Sequence, residues 1–214
     1  MDRASADGLL AVGGDLNPDR LLVAYANGIF PWPHAGSPRL LWFCTSPRPV
    51  LVPGAIHIGK STAKAIRKEG VEVRFDSAFG EVIRGCAAMN RPDGASTWIT
   101  EEMIAAYTRL HEMGYAHSAE TWREGTLIGG VYGVSLGAAF FGESMFRRES
   151  NASKIALIGL MQRLKEWDFK FLDCQMRTPI ANSLGAVDWD SATFQAALTE
   201  ALKTPTRRTG WKAA

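Results

Sequence analysis

An α/β fold with a mixed sheet is predicted for this 214-residue chain from three features. Strand patterns recur at 116–122, 126–134 and 138–146, an amphipathic stretch covers 152–167, and a further apolar strand pattern, FKFLDCQ, covers 169–175. Arg-Glu-Gly and Ser-Leu-Gly between the first three strands are turn sequences, so those strands form an antiparallel meander. The helix between the third and fourth strands makes a βαβ step, whose two strands are parallel.

From the amino terminus, residues 8–50 are dense in Gly, Pro and Trp. This predicts a short helix near 17–27 between turns and one or two strands, together a small amino-terminal α+β domain over 1–52. Beyond Pro53 the punctuation becomes regular: a helix near 60–68, a strand at 71–75, a helix at 77–88, then a loop containing Arg91-Pro92-Asp93-Gly94. Thr100 is the N-cap of a helix that ends at Gly114, with Glu101 and Glu102 in its positive first turn. The meander, the crossover helix and the parallel strand complete a domain over 53–214. Helix pairs ahead of a meander, with a βαβ step after it, make an acetyltransferase-like (GNAT-type) α/β sandwich. The last ten residues, with Arg207, Arg208 and Lys212, read as a mobile basic tail.

Composition narrows the function classes. With 46% hydrophobic and 21% charged residues the chain is an ordinary globular one. A net charge of +2 is too balanced to mark a nucleic-acid binder without a local basic patch. Cys44, Cys86 and Cys174 are too few and too widely spaced for a disulfide framework or a zinc site, which fits a reducing cytosol. His34, His57, His111 and His117 are scattered without metal-ligand spacing, so no metal is assigned. No signal sequence or membrane span is read, and a soluble, cytoplasmic protein is expected.

Chemistry is expected at the βαβ step, since ligands gather where parallel strands end. Glu143 lies near the carboxyl end of the first strand of that step. Asp173 and Gln175, two residues apart, share a face near the end of the second. Lys60, Lys64, Arg67 and Lys68 recur at helical spacing, making the local basic stripe that net charge does not reveal; a solvated helix face reads the same way.

Several segments carry a resemblance: GLLAVGGDLNPDRLLVAYANGIFPWP (8–33), STWITEEMIAAYTRLHEMGYAHSAETW (96–122), LIGGVYGVSLGAAFFGESMF (127–146), NASKIAL (151–157), FLDCQ (171–175) and SLGA (183–186). In that order they resemble the leucyl/phenylalanyl-tRNA–protein transferases. The resemblance implies transfer of leucine, phenylalanine or methionine from aminoacyl-tRNA to an amino-terminal Arg or Lys of an acceptor protein, which marks that protein for degradation under the N-end rule. It implies an acetyltransferase-like fold and no cofactor, because the tRNA ester is already activated. Two departures from the family pattern stand out. The chain has Trp42-Phe43-Cys44-Thr45-Ser46-Pro47-Arg48 where the family has Trp-Trp-Ser-Pro-Asp-Pro-Arg, and Ile180 where a His often precedes the SLGA segment.

By the same resemblance, Glu143, Asp173 and Gln175 surround the reacting amine and ester. Asp173 either accepts a proton through Gln175 or holds the cationic acceptor terminus, and positioning is favoured because a carboxylate of ordinary pKa is a weak base toward an amine. Glu143 binds the acceptor or the terminal ribose; as a bare residue it could equally be a strand-end salt bridge to Arg147 or Arg148. Val131, Phe140, Gly142, Met145, Leu157, Leu160 and Leu172 resemble the pocket for the transferred side chain, and read alone they are ordinary core. Trp32, Trp98 and Tyr107 match aromatic positions near the 3′ adenosine, where a base can stack. The basic stripe would hold tRNA phosphates.

Two other functions compete. Gly54-Ala-Ile-His-Ile-Gly59-Lys60-Ser61 matches the phosphate loop of nucleotide triphosphatases, with Asp173 available as a magnesium-binding strand end, although Ile56 and Ile58 resist the curl such a loop needs. A coenzyme A-dependent acetyltransferase would need a pyrophosphate-binding turn, for which Arg91 to Ser96 is the nearest match.

Overall fold

The computed structural model describes residue 5 and residues 7–33, 39–89 and 97–212. A three-stranded antiparallel sheet opens the chain: β1 (Leu9–Val12), β2 (Phe30–Pro31) and β3 (Leu41–Phe43), in the order β1-β3-β2. Between its first two strands runs α1 (Pro18–Ala26). Its start is written in the sequence: the Asn17 side chain accepts from the Asp19 amide, and Pro18 fills the first turn, where no amide donor is needed. The buried residues Leu21, Ala24 and Tyr25 form one helical stripe.

The rest of the strands form one seven-stranded sheet. In chain order the elements are β4 (Arg48–Leu51), α2 (Lys60–Ile66), β5 (Val71–Phe75), α3 (Phe79–Ala87), α4 (Glu101–Glu112), β6 (Ala116–Arg123), β7 (Thr126–Leu136) and β8 (Ala139–Arg147). These are followed by α5 (Ala152–Glu166), β9 (Phe171–Asp173), α6 (Pro179–Ser183), β10 (Val187–Trp189) and α7 (Ser191–Ala201). The spatial order is β10-β4-β9-β8-β7-β6-β5. The β8–β9 pair, bridged by α5, is parallel, and its neighbours are antiparallel. The meander followed by a βαβ step is the GNAT-type arrangement. β4 pairs with β9 and β10, so this strand, on the amino-terminal side of a boundary at residue 52, lies in the larger sheet.

Alternation along β7 divides the core. Tyr132 and Val134 face a layer with residues of α1, α3, α4 and α7, whereas Val131 faces α5. Gly129 lets α5 approach closely: a Cβ there would lie 2.6 Å from that of Ala152. Thr100 caps α4 by accepting from the Met103 amide. Ala78 cannot cap α3, and the buried Glu120 carboxylate of β6 does so instead, accepting from the Ser77 and Ala78 amides and from the hydroxyls of Ser77 and Ser118.

Three expectations need correction. The strand read at 169–175 is β9, only Phe171–Asp173, because Cys174 turns to bond the Pro49 carbonyl and Gln175 takes a left-handed backbone (φ 60°). The basic tail is docked as far as Lys212: Trp211 is 1% exposed, Arg208 donates twice to the Met113 carbonyl, and Arg207 lies over the Trp167 ring. Its charges sit at the rim while Trp211 anchors the segment in the core. His111 and His117, distant from Asp76 in sequence, meet it in space. His34 and the Arg91–Gly94 segment lie outside the described residues. Among the described residues no helix is long and apolar enough to cross a membrane.

Candidate active site

Pairing of β8 with β9 stops at Phe141 opposite Asp173, while β8 continues to Arg147. The ladder between the two strands ends there, and the space between their carboxyl ends is the candidate crevice. Glu143 sits at its mouth because β8 bulges: Gly142 opposes Gly133 and Ser144 opposes Tyr132, leaving residue 143 as the extra one. A bulge re-aims a side chain, and this one turns Glu143 toward α1 and α4.

Three groups converge on that carboxylate. Oε1 accepts from the Tyr25 hydroxyl at 2.7 Å and from Nε2 of Gln175 at 2.6 Å. Oε2 accepts from the Tyr107 hydroxyl at 3.0 Å, and the two phenol hydroxyls bond one another. Burial pushes the Glu143 carboxyl up to about 7; the hydrogen bonds from Tyr25, Tyr107 and Gln175 oppose that rise, and the nearby Asp173 charge adds to it. Burial, then the Glu143 charge, holds the Tyr25 and Tyr107 phenols well above their ordinary range. The result is a carboxyl able to change protonation at neutral pH beside two phenols that stay protonated.

Behind this cluster lies a buried ion pair. Arg48, 1% exposed, donates from Nε and Nη2 to the two oxygens of Asp173, 0% exposed, at 2.8 Å each. The guanidinium also reaches the Gly28 carbonyl at 3.0 Å and lies over the Phe30 and Phe194 rings. Asp173 Oδ1 accepts from the Gln175 amide at 2.8 Å, and Thr45 donates to the Gln175 carbonyl at 2.7 Å. Gln175 is therefore gripped at both ends of its backbone, and its side chain is aimed at Glu143.

This geometry revises the expected roles. Asp173 is 0% exposed, and its two oxygens are engaged by Arg48 and the Gln175 amide rather than turned toward the candidate crevice. Glu143 does not pair with Arg148, whose guanidinium bonds the Leu127 carbonyl. Tyr107 is 0% exposed, edge-on to Tyr132 and bonded to Glu143, so it offers no face to a base. Trp32, edge-on to Phe43 at 5.5 Å, and Trp98 both remain partly exposed. Val131, Phe140, Leu157, Leu160 and Leu172 lie in one buried cluster between the sheet and α5, with Met145 partly exposed against it. Gly142 rests against Leu172 and the Asp173 carbonyl. Lys60, Lys64, Arg67 and Lys68 are all exposed and line a shallow surface concavity, while Thr62 and Ala65 of the same helix face inward. Tyr25 and Arg48 belong to this cluster of contacts and were passed over by sequence reasoning; Tyr25 reads as the apolar face of α1, and Arg48 only as part of a variant motif.

The phosphate-loop reading fails on the same geometry. Ile56 and Ile58 pack against the α5-side core, and the His57 amide is already bonded to the Leu184 carbonyl. β4, which would lead into such a loop, is antiparallel to β9, whereas a triphosphatase needs those strands parallel. The Arg91–Ser96 turn of the coenzyme A reading lies outside the described residues.

Comparison with known proteins agrees with the resemblance. The family profile "Leucyl/phenylalanyl-tRNA protein transferase" matches residues 50–199, and the profile of that family's N-terminal domain matches residues 14–46. The chain is 51% identical to the leucyl/phenylalanyl-tRNA–protein transferase of Myxococcus xanthus, over 98% of this chain and 89% of the relative. It is 53% identical to that of Syntrophus aciditrophicus, over 97% and 87%. Among solved structures it is similar to L-PGS from Bacillus licheniformis, at 12% identity and a TM-score of 0.40, over 85% of this chain and 56% of that one. With the family's two profiles matched in order and about half of the aligned residues shared with relatives covered over 87–89% of their length, this chain belongs to the leucyl/phenylalanyl-tRNA–protein transferase family.

Proposed function

We propose that this enzyme moves leucine, phenylalanine or methionine from aminoacyl-tRNA to the amino-terminal Arg or Lys of acceptor proteins in the cytosol, creating an N-end rule degradation signal. The observation that carries the reading is the Glu143 carboxyl, raised to about 7 and held by Gln175, Tyr25 and Tyr107 where β8 and β9 part. Aminoacyl transfer needs a neutral amine, an activated carbonyl and one proton relocated. The acceptor nitrogen attacks the ester carbonyl, the N–C bond forms, and the bond to the ribose oxygen breaks. Glu143 takes the proton released from nitrogen and returns it to the leaving oxygen. No covalent enzyme intermediate, nucleotide or metal is required.

The remaining residues supply binding. Trp32 and Trp98 offer partly exposed faces for the terminal adenosine. The Val131, Phe140, Leu157, Leu160 and Leu172 cluster, entered past Met145 and Gly142, receives the transferred side chain. A single methylene changes binding there by only about 1–3 kcal/mol, which accounts for tolerance of methionine. The exposed cations of α2 contact tRNA phosphates and do not read sequence.

The test is transfer of labelled leucine from Leu-tRNA to peptides differing only in their amino-terminal residue, without ATP. Product on Arg- and Lys-terminated peptides alone supports the reading. Product on acidic termini keeps the chemistry and overturns the acceptor rule, and no product from any aminoacyl-tRNA overturns both.

A further inference from the structure

Away from the crevice, Asp76, His111 and His117 bring one ligand atom each to within 4.8 Å of one another. They come from three elements: the β5–α3 turn, the last turn of α4 and the start of β6. We propose that this cluster is a binding site for a divalent transition metal, with zinc the expected ion. Two imidazoles and a carboxylate are a borderline-soft donor set that suits zinc, with solvent completing a tetrahedron. Ligands about 2.0–2.2 Å from zinc stand roughly 3.4 Å apart in a tetrahedron. Asp76 Oδ2 is 2.8 Å from Nδ1 of His117, Asp76 Oδ1 is 3.9 Å from Nδ1 of His111, and one ligand atom from each residue lies within 4.8 Å of the others, so small rotations of the three side chains bring them to that spacing. Loading replaces two hydrogen bonds, His117 Nδ1 to Asp76 and His111 Nδ1 to the Ala116 carbonyl at 2.8 Å, with metal bonds, and moves the His111 proton to Nε2.

Neighbouring groups orient His117 and Asp76 toward the site. Nε2 of His117 faces the Gly114 carbonyl at 3.1 Å, which leaves Nδ1 as the ligand atom, and the Ser118 amide donates to Asp76 Oδ1 at 2.8 Å. The His111 ring is stacked on Phe79 at 4.2 Å, and His117 on Trp211 at 4.0 Å. His111 is 27% exposed and Asp76 11%, so ion and solvent can reach them. His111 also stands one turn beyond Tyr107 on the same face of α4, so a metal here would fix the helix face that bonds Glu143.

The experiment is a zinc titration of the chelator-treated protein, read by metal stoichiometry and thermal unfolding, with cobalt as a spectroscopic probe. One equivalent is expected, with Tm raised by roughly 5–10 °C at a hundredfold excess of free zinc over its Kd. Cobalt should give tetrahedral bands without thiolate charge-transfer absorption, which excludes Cys44, Cys86 and Cys174. His111→Gln and Asp76→Asn, at the exposed side of the cluster, should fold and lose the shift. An unchanged wild-type Tm, a thiolate spectrum, or a shift that survives both substitutions overturns the proposal.

Discussion

Nε2 of Gln175 donates a 2.6 Å hydrogen bond to Oε1 of Glu143, joining the turn after β9 to the bulge in β8 across the opening between those strands. The backbone of Gln175 is held on both sides of that contact: Asp173, fixed by Arg48, accepts from its amide, and Thr45 donates to its carbonyl. A chain of contacts thus runs from an ion pair inside the protein to the Glu143 carboxyl.

Removing one member of the ion pair strands a charge. Asp173→Ala should cost about 3–5 kcal/mol, visible as a fall in the denaturant midpoint, along with lost transfer. Replacing both, Arg48→Met with Asp173→Leu, should restore much of the stability and leave activity low, because the Gln175 amide then has no acceptor. Recovery of activity in the double variant would remove the positioning role.

Tyr25→Phe deletes one hydrogen bond that stabilises the ionised Glu143. The carboxyl should therefore titrate higher, and the pH–rate curve should move toward alkaline pH with a modest stability change of about 1 kcal/mol. A curve that does not move would show that Tyr25 does not tune the carboxyl.

Glu143 also sets a sign for stability against pH. An unfolded Glu ionises near 4.5 and the native one near 7, so the native state binds more protons between those values. Stability contributed by this group is present below about 4.5 and is lost as pH rises through about 7. Denaturation curves of wild type and Glu143→Gln across pH 4–8 should differ in slope over that window, the wild type losing stability faster with rising pH.

Charge reversal at Lys60 and Lys64 should weaken tRNA binding and reduce the slope of log affinity against log salt by roughly 1 per lost phosphate contact. The fold should survive, since both residues are exposed and the inward faces of α2, Thr62 and Ala65, are untouched. Unchanged affinity and slope would move the tRNA surface elsewhere.

Trp211→Ala should cost about 3–5 kcal/mol, an effect that a mobile tail would not produce. Its ring packs on His117, Phe140 and Trp167 at 4.0–5.7 Å. An unchanged unfolding midpoint would return residues 205–212 to the status of a free terminus.

Local rules made much of the fold legible. Thr100 announces α4, Asn17-Pro18 announces α1, and two-residue periodicity with short turns announces β6 to β8. Glu143, Asp173 and Gln175 drew attention because each lies near a strand end of a βαβ unit, and the structure brings them into one hydrogen-bonded cluster. What stayed hidden depends on long-range pairing. Arg48 and Asp173 are separated by 125 positions, and nothing local distinguishes an arginine bound for the core from one on the surface. Tyr25 sits where α1 needs an apolar residue, so its hydroxyl carried no signal until Glu143 was found 2.7 Å away. The carboxyl-terminal segment was misread because Arg207, Arg208 and Lys212 outweigh one tryptophan in composition, whereas burial of that tryptophan decides where the segment lies.

The most direct test of the Glu143-centred mechanism is the pH dependence of single-turnover leucine transfer to an Arg-terminated peptide, wild type against Glu143→Gln. The wild-type rate should rise with an inflection near 7, as Glu143 becomes able to accept the amine proton, in addition to the titration of the peptide's own α-amino group near 8. The Gln variant should be slower by roughly 10²–10⁴-fold and should keep only the inflection of the amine. A Gln variant with the wild-type rate and both inflections would contradict the assignment of Glu143 as the group that moves the proton.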